Sequence, residues 1–145
     1  LNPDNQLLYA KDLYYLGKTL QSADLLLDIF HQKRYDKEVM FIIGELLFDK
    51  GHYMQAAEIF ETSINDGDEN PRTSTGAALC YLHLAAENLN EALVREPHAQ
   101  TLATDLKKID ETIQLLNRTS WHTKWVGYKR RIHDEETSHL VVHDR

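Results

Sequence analysis

A chain of 145 residues with 42% hydrophobic content can bury a core of its own and suits one domain better than two. Its 16 lysines and arginines against 23 aspartates and glutamates give a formal charge of −7, which argues against a general nucleic-acid binder and favours partners with a basic or apolar face. The single cysteine, Cys80, excludes an intramolecular disulfide and a thiolate metal cluster, and its expected role is a small buried apolar residue.

No run approaches the roughly 18 apolar residues of a membrane span, and nothing resembles a signal peptide. The chain is therefore expected to be soluble, without membrane contact, and cytoplasmic by default. Its first residue, Leu1, fits an excised or processed piece.

With only 3 prolines and 6 glycines and no sustained alternation of β-branched and polar residues, helices must carry the fold. In residues 7–16, Leu7, Leu8, Tyr14, Tyr15 and Leu16 cover a broad apolar helix face, and Gly17 breaks the pattern. A second helix follows from Leu20 through Ala23, Leu26, Leu27 and Phe30 and fades in the polar stretch 31–37. The pattern returns with Phe41, Ile42, Leu46, Leu47 and Phe48, breaks at Gly51, and resumes with Ala56, Ala57, Ile59, Phe60 and Ile64. Residues 65–71 form a turn that combines a glycine helix stop, Gly67, with a proline at the first position of the next helix, Pro71. A third apolar run covers 77–86, and after Pro97 the spacing of Leu102, Leu106, Ile109, Ile113 and Leu116 predicts a long helix over 99–116.

The hairpins share a period. Gly17 and Gly51 lie 34 residues apart, as do Ala23 and Ala57, and Pro3 and Pro71 lie at twice that distance. Residues 37–70 carry Gly44 in the first helix, Gly51, His52 and Tyr53 at the turn, and Ala56 and Phe60 in the second helix. In this the chain resembles the tetratricopeptide repeat family, over roughly residues 3–95. Ser63 departs from the alanine the family favours. In the third unit Leu89 and Ala92 resemble the turn and second helix, but Pro97 follows too soon for a full helix. The expected fold is thus all-α, a helix-turn-helix solenoid. Two good repeats and one degenerate one are closed by a C-terminal capping helix over 1–117, with a short aromatic helix and polar tail over 118–145.

Chemistry-bearing motifs are sparse. His139 and His143 are four apart, but Leu140, Val141 and Val142 between them lack the glutamate of a zinc protease helix, and His133, Glu135 and Glu136 read equally as an exposed turn. No nucleophile elbow or phosphate loop exists, so an enzyme is not expected, nor is a metal or other cofactor. Lys124, Lys129, Arg130 and Arg131 alternate with Trp121, Trp125 and Tyr128. These aromatics are expected to pack on the capping helix, and Trp121, Trp125 and Tyr128 are also candidate oligomer contacts; no nucleic-acid partner is expected.

The resemblance implies that the first helix of each hairpin lines a concave surface. It places there Leu7, Lys11, Tyr14 and Tyr15, then Phe41, Glu45 and Phe48, then Thr75, Leu79, Leu82 and His83. Such a groove is apolar and aromatic and lacks the cations of a carboxylate clamp. It suits a protein or peptide segment with bulky apolar anchors, oriented by Lys11 and Glu45. One alternative is that a helix or tail of the chain itself fills this surface. Others are an assembly subunit that docks on neighbours or on itself, and a chaperone similar to those of type III secretion.

Overall fold

A computed structural model describes residues 3–32, 37–119 and 121. Six helices form: α1 (Pro3–Tyr15), α2 (Thr19–Gln32), α3 (Lys37–Asp49), α4 (Tyr53–Asn65), α5 (Pro71–Arg95) and α6 (Gln100–Asn117). The protein is all-α, with no strand among the described residues, and no helix there is long and apolar enough to cross a membrane.

Three helix ends close in one manner. Gly17 and Gly51 take φ of +86° and +81°, a conformation that costs a glycine nothing. This swings the next amide back onto the last turn, so that Lys18 N–H donates to the Leu13 carbonyl and His52 N–H to the Leu47 carbonyl, each at 2.9 Å. Gly67 repeats the motif, with Asp68 N–H donating to the Ser63 carbonyl at 3.0 Å. Sequence periodicity and local stereochemistry therefore agree on where these helices stop.

Sequential helices pack together: α1 on α2, α3 on α4, α4 on α5 and α5 on α6, while α2 also rests on α4 and α3 on α5. The even helices α2 and α4 thus share one layer, and α3 and α5 the other. Between α1 and α2, the buried Ser22 hydroxyl donates to the Ala10 carbonyl at 2.6 Å. Between α4 and α5, Asp68 acts as a knot. It accepts from the Ser63 hydroxyl at 3.0 Å, the Thr73 hydroxyl at 2.7 Å and the Asn70 amide at 2.9 Å, and Lys37 from the start of α3 donates to the Gly67 carbonyl at 3.1 Å. Burial alone would raise the Asp68 carboxyl, but the bonds from Thr73, Asn70 and Ser63 and the nearby Lys37 charge outweigh it and hold it below the ordinary carboxylate range.

The third unit corrects the repeat register. α5 runs unbroken for 25 residues through Leu89 and Ala92, where the repeat pattern predicts a turn. The stretch 85–94 holds alanine, leucine and glutamate and no glycine or proline, so helix propensity continues where the repeat pattern calls for a stop. Its partner is then α6, whose side chains Leu102, Leu106, Ile109, Ile113 and Leu116 are buried or half-buried.

Candidate functional site: an aromatic seat between α3 and α5

The core centres on Phe60 of α4. Its ring is fully buried and lies across two glycines: a methyl group at Gly44 on α3 would stand 2.6 Å from the ring, and one at Gly76 on α5 would stand 2.9 Å from it. Only residues without a side chain allow α3 and α5 to close on Phe60 to this distance. Phe41 lies beside it, ring centroids 5.7 Å apart and tilted by 47°.

Into the space above Gly76 comes Trp121, four residues past the end of α6. Its indole meets Phe48, Phe41 and Phe60 edge to face, with centroids 5.2, 6.1 and 6.3 Å away and interplanar angles of 83°, 76° and 80°. A methyl group at Gly76 would lie 3.0 Å from the indole as well. Edge-to-face contacts of this kind match the positive ring edge to the negative ring face and add to the burial of a large apolar surface. Trp121 is 2% exposed.

The seat continues to a half-open rim. His83 on α5 stacks flat on Tyr53, with centroids 4.3 Å apart and planes within 5°, and Phe48 meets both rings edgewise at 5.3 and 5.2 Å. Burial lowers the His83 pKa, against the opposing pull of Glu87 and Asp110, so the ring is neutral at physiological pH. Burial also raises the Tyr53 pKa, with Glu87, Cys80 and Asp49 acting in the same direction. The rim is therefore acidic: Asp49, Glu87 and Asp110 are exposed, and their charges reach these two rings.

The expected groove residues divide accordingly. Phe41, Phe48, Leu79 and His83 are brought to one region, Leu82 is half-buried nearby on α5, and Leu7 is half-buried on α1. The expectation of an open surface is corrected for Phe41, Glu45 and Leu79, which expose 2%, 0% and 0%, while Phe48 is buried against Trp121. Glu45 in particular is inside the protein and does not present a charge to solvent. Lys11, Tyr14 and Tyr15 belong to α1, but their side chains lie outside the described residues, as do Trp125, Tyr128 and the histidines of the tail.

The sequence places Trp121 in a separate extension, expected to pack on the capping helix and also a candidate oligomer contact; it sits in the core cluster, within a turn, against Phe41 and Phe48 of α3 and Phe60 of α4. Gly76 has no role in the sequence reading, and Asp68 enters it only as part of the turn over 65–71. The signal for Gly76 is a glycine in the middle of an apolar helical run, a position that needs a packing reason. Burial pushes the Cys80 thiol up to about 12, so it stays protonated and is no nucleophile at neutral pH. No family model, curated protein or solved structure matches the chain, so the reading of this seat rests on its own geometry.

Proposed function

We propose that the chain is a non-catalytic protein-interaction module, tetratricopeptide-like in its helical hairpins, that binds a protein segment through a bulky aromatic anchor on the face between α3 and α5. One observation carries this reading: an indole supplied from outside the six helices is seated between Phe41, Phe48 and Phe60, so this face has the shape of a receptor for such an anchor. The half-open Tyr53 and His83 rings continue the apolar path out of the seat. The 34-residue recurrence of glycine-closed hairpins supports the repeat architecture.

The test is selection of peptides from a random display library on the full chain, with Tyr53→Ala and His83→Ala as folded controls. Binders enriched in aromatic anchors and lost on both variants support the reading. A library that returns no binder, or binders indifferent to both variants, refutes it.

A second reading, an assembly subunit, is favoured by a different surface. Tyr9, Leu16 and Leu20 on α1 and at its turn into α2 are 53%, 66% and 56% exposed, and Leu8 beside them is 38% exposed. Large apolar side chains exposed at one hairpin are where a neighbour would dock. Light scattering on the full chain and on Leu16→Glu with Leu20→Glu separates the two: an oligomer dissociated by the double substitution supports assembly.

A further inference from the structure

We propose that the seat of Trp121 is a recognition site for a tryptophan-bearing basic segment of a partner protein, which docks by displacing Trp121 from it. The proposal rests on the interaction reading above and gives it a ligand chemistry.

The shape of the seat selects the anchor. Three rings stand nearly perpendicular to the indole, and Gly76 leaves room at its edge that any side chain would fill. A flat double ring fills this space, whereas a branched aliphatic chain leaves the ring edges unmatched. Charge selects the flanks. The rim carries Asp49, Glu87 and Asp110, and the chain around Trp121 carries Arg118, Lys124, Lys129, Arg130 and Arg131 in a protein whose net charge is −7. The internal occupant thus has the composition that complements the rim, and a competing segment needs the same two features.

The tether makes exchange feasible. Between α6 and Trp121 stand three residues, and the turn is held by short-range bonds: the Thr119 amide and hydroxyl both donate to the Leu116 carbonyl, at 3.1 and 2.6 Å. Trp121 itself lies in a turn, outside α6. A tethered occupant acts at an effective concentration of roughly millimolar order, so it lowers the apparent affinity for an outside segment without abolishing it.

The experiment uses the full chain and a fluorescein-labelled peptide of residues 116–124, in which Trp121 is the sole tryptophan. Anisotropy should show binding to Trp121→Ala at least about ten-fold tighter than to the unmodified chain, weakened by added salt and absent when the peptide carries alanine at the tryptophan. Equal affinity for the two chains, or no binding to a Trp121→Ala chain that circular dichroism shows to be folded, overturns the proposal. Should that variant not fold, a Trp125→Phe chain leaves Trp121 as the only tryptophan. The same peptide with weakly fluorescent 4-fluorotryptophan should red-shift its emission and expose it to acrylamide. Unchanged emission up to roughly millimolar peptide overturns the proposal. Library binders that bind the chain yet leave Trp121 emission unchanged defeat this inference alone, whereas the absence of any binder defeats the interaction reading itself.

Discussion

Gly44→Ala tests whether the glycine contacts of Phe60 hold the two layers together. The added methyl carbon would lie 2.6 Å from one edge atom of the ring and 3.0 Å from two more. A ring in an open site would swing aside for a small cost. Phe60 has no such freedom, because its other edge lies against Gly76 and the Trp121 indole packs nearly perpendicular to it, 6.3 Å away between centroids. Overpacking a tight core costs about 1–3 kcal/mol, and a ring blocked on both sides belongs in the upper half of that range. Alanine in a helix interior returns about 1 kcal/mol relative to glycine. The net loss is then about 1–2 kcal/mol, or a fall of about 3–6 °C in melting temperature for a domain of this size. Urea and thermal denaturation followed by circular dichroism at 222 nm measure it. The double substitution Gly44→Ala with Phe60→Leu should lose less than the sum of the two single changes, since the smaller side chain makes room for the methyl group. A Gly44→Ala chain that melts at or above the parent would refute the reasoning, since helix propensity would then act unopposed.

Asp68→Ala should cost about 2 kcal/mol, because it leaves the buried Ser63 and Thr73 hydroxyls without their acceptor; a change below about 0.5 kcal/mol in urea denaturation contradicts the knot between α4 and α5. Its pH dependence has a fixed sign. The folded pKa is depressed below 3.8, so the contribution is present above that value and is lost as pH falls through the folded pKa. Between about pH 5 and pH 3 the parent should therefore lose more stability than Asp68→Asn. His83 titrates in the opposite chemical sense but with the same slope. Its folded pKa lies below 6.5, so the unfolded chain binds the proton first and stability declines as pH falls below that value. A His83→Gln chain should show a shallower decline between about pH 7 and pH 5. Cys80, fully buried with its thiol raised to about 12, should react with a disulfide reagent at pH 8 only as fast as the protein opens, and promptly in urea; fast labelling of the native chain would place it elsewhere.

Helix positions are legible because two physical signals coincide at the same residues. Apolar side chains recur at helical spacing up to Gly17, Gly51 and Gly67, and those glycines then adopt the left-handed geometry that closes the helix. The third turn is misplaced because the repeat register extends past 88 into a stretch whose composition favours helix. The site is only partly legible, for a reason that lies in α3. From Met40 to Phe48 every residue except Leu46 is buried, Glu45 included, so the helix has no polar stripe from which to read an outward face. Periodicity therefore places Phe41 and Phe48 on a helix but cannot decide between groove and core. Trp121 resolves the ambiguity, and its position depends on packing against Phe60, Phe48 and Phe41, all far from it in sequence, which no local pattern encodes.

A seat whose floor is also the core couples binding to folding, and the coupling can be measured. A ligand that binds only the folded state raises stability with the logarithm of one plus its concentration over its dissociation constant. In the unmodified chain an incoming tryptophan replaces one already present, so its packing on Phe41, Phe48 and Phe60 only restores what Trp121 gives up. Its apparent affinity is then at least about ten-fold weaker, so a peptide concentration about one hundred times the dissociation constant for Trp121→Ala should return no more than about 1.4 kcal/mol to the unmodified chain. In Trp121→Ala the seat is empty of its indole, at a cost of about 3–5 kcal/mol for so large a buried side chain. The same peptide at about one hundred times its dissociation constant should return about 2.7 kcal/mol, a rise of several degrees by differential scanning fluorimetry. A peptide that raises both chains equally binds somewhere other than the seat. A larger rise in Trp121→Ala than in the unmodified chain shows that one set of rings serves as both core and binding face.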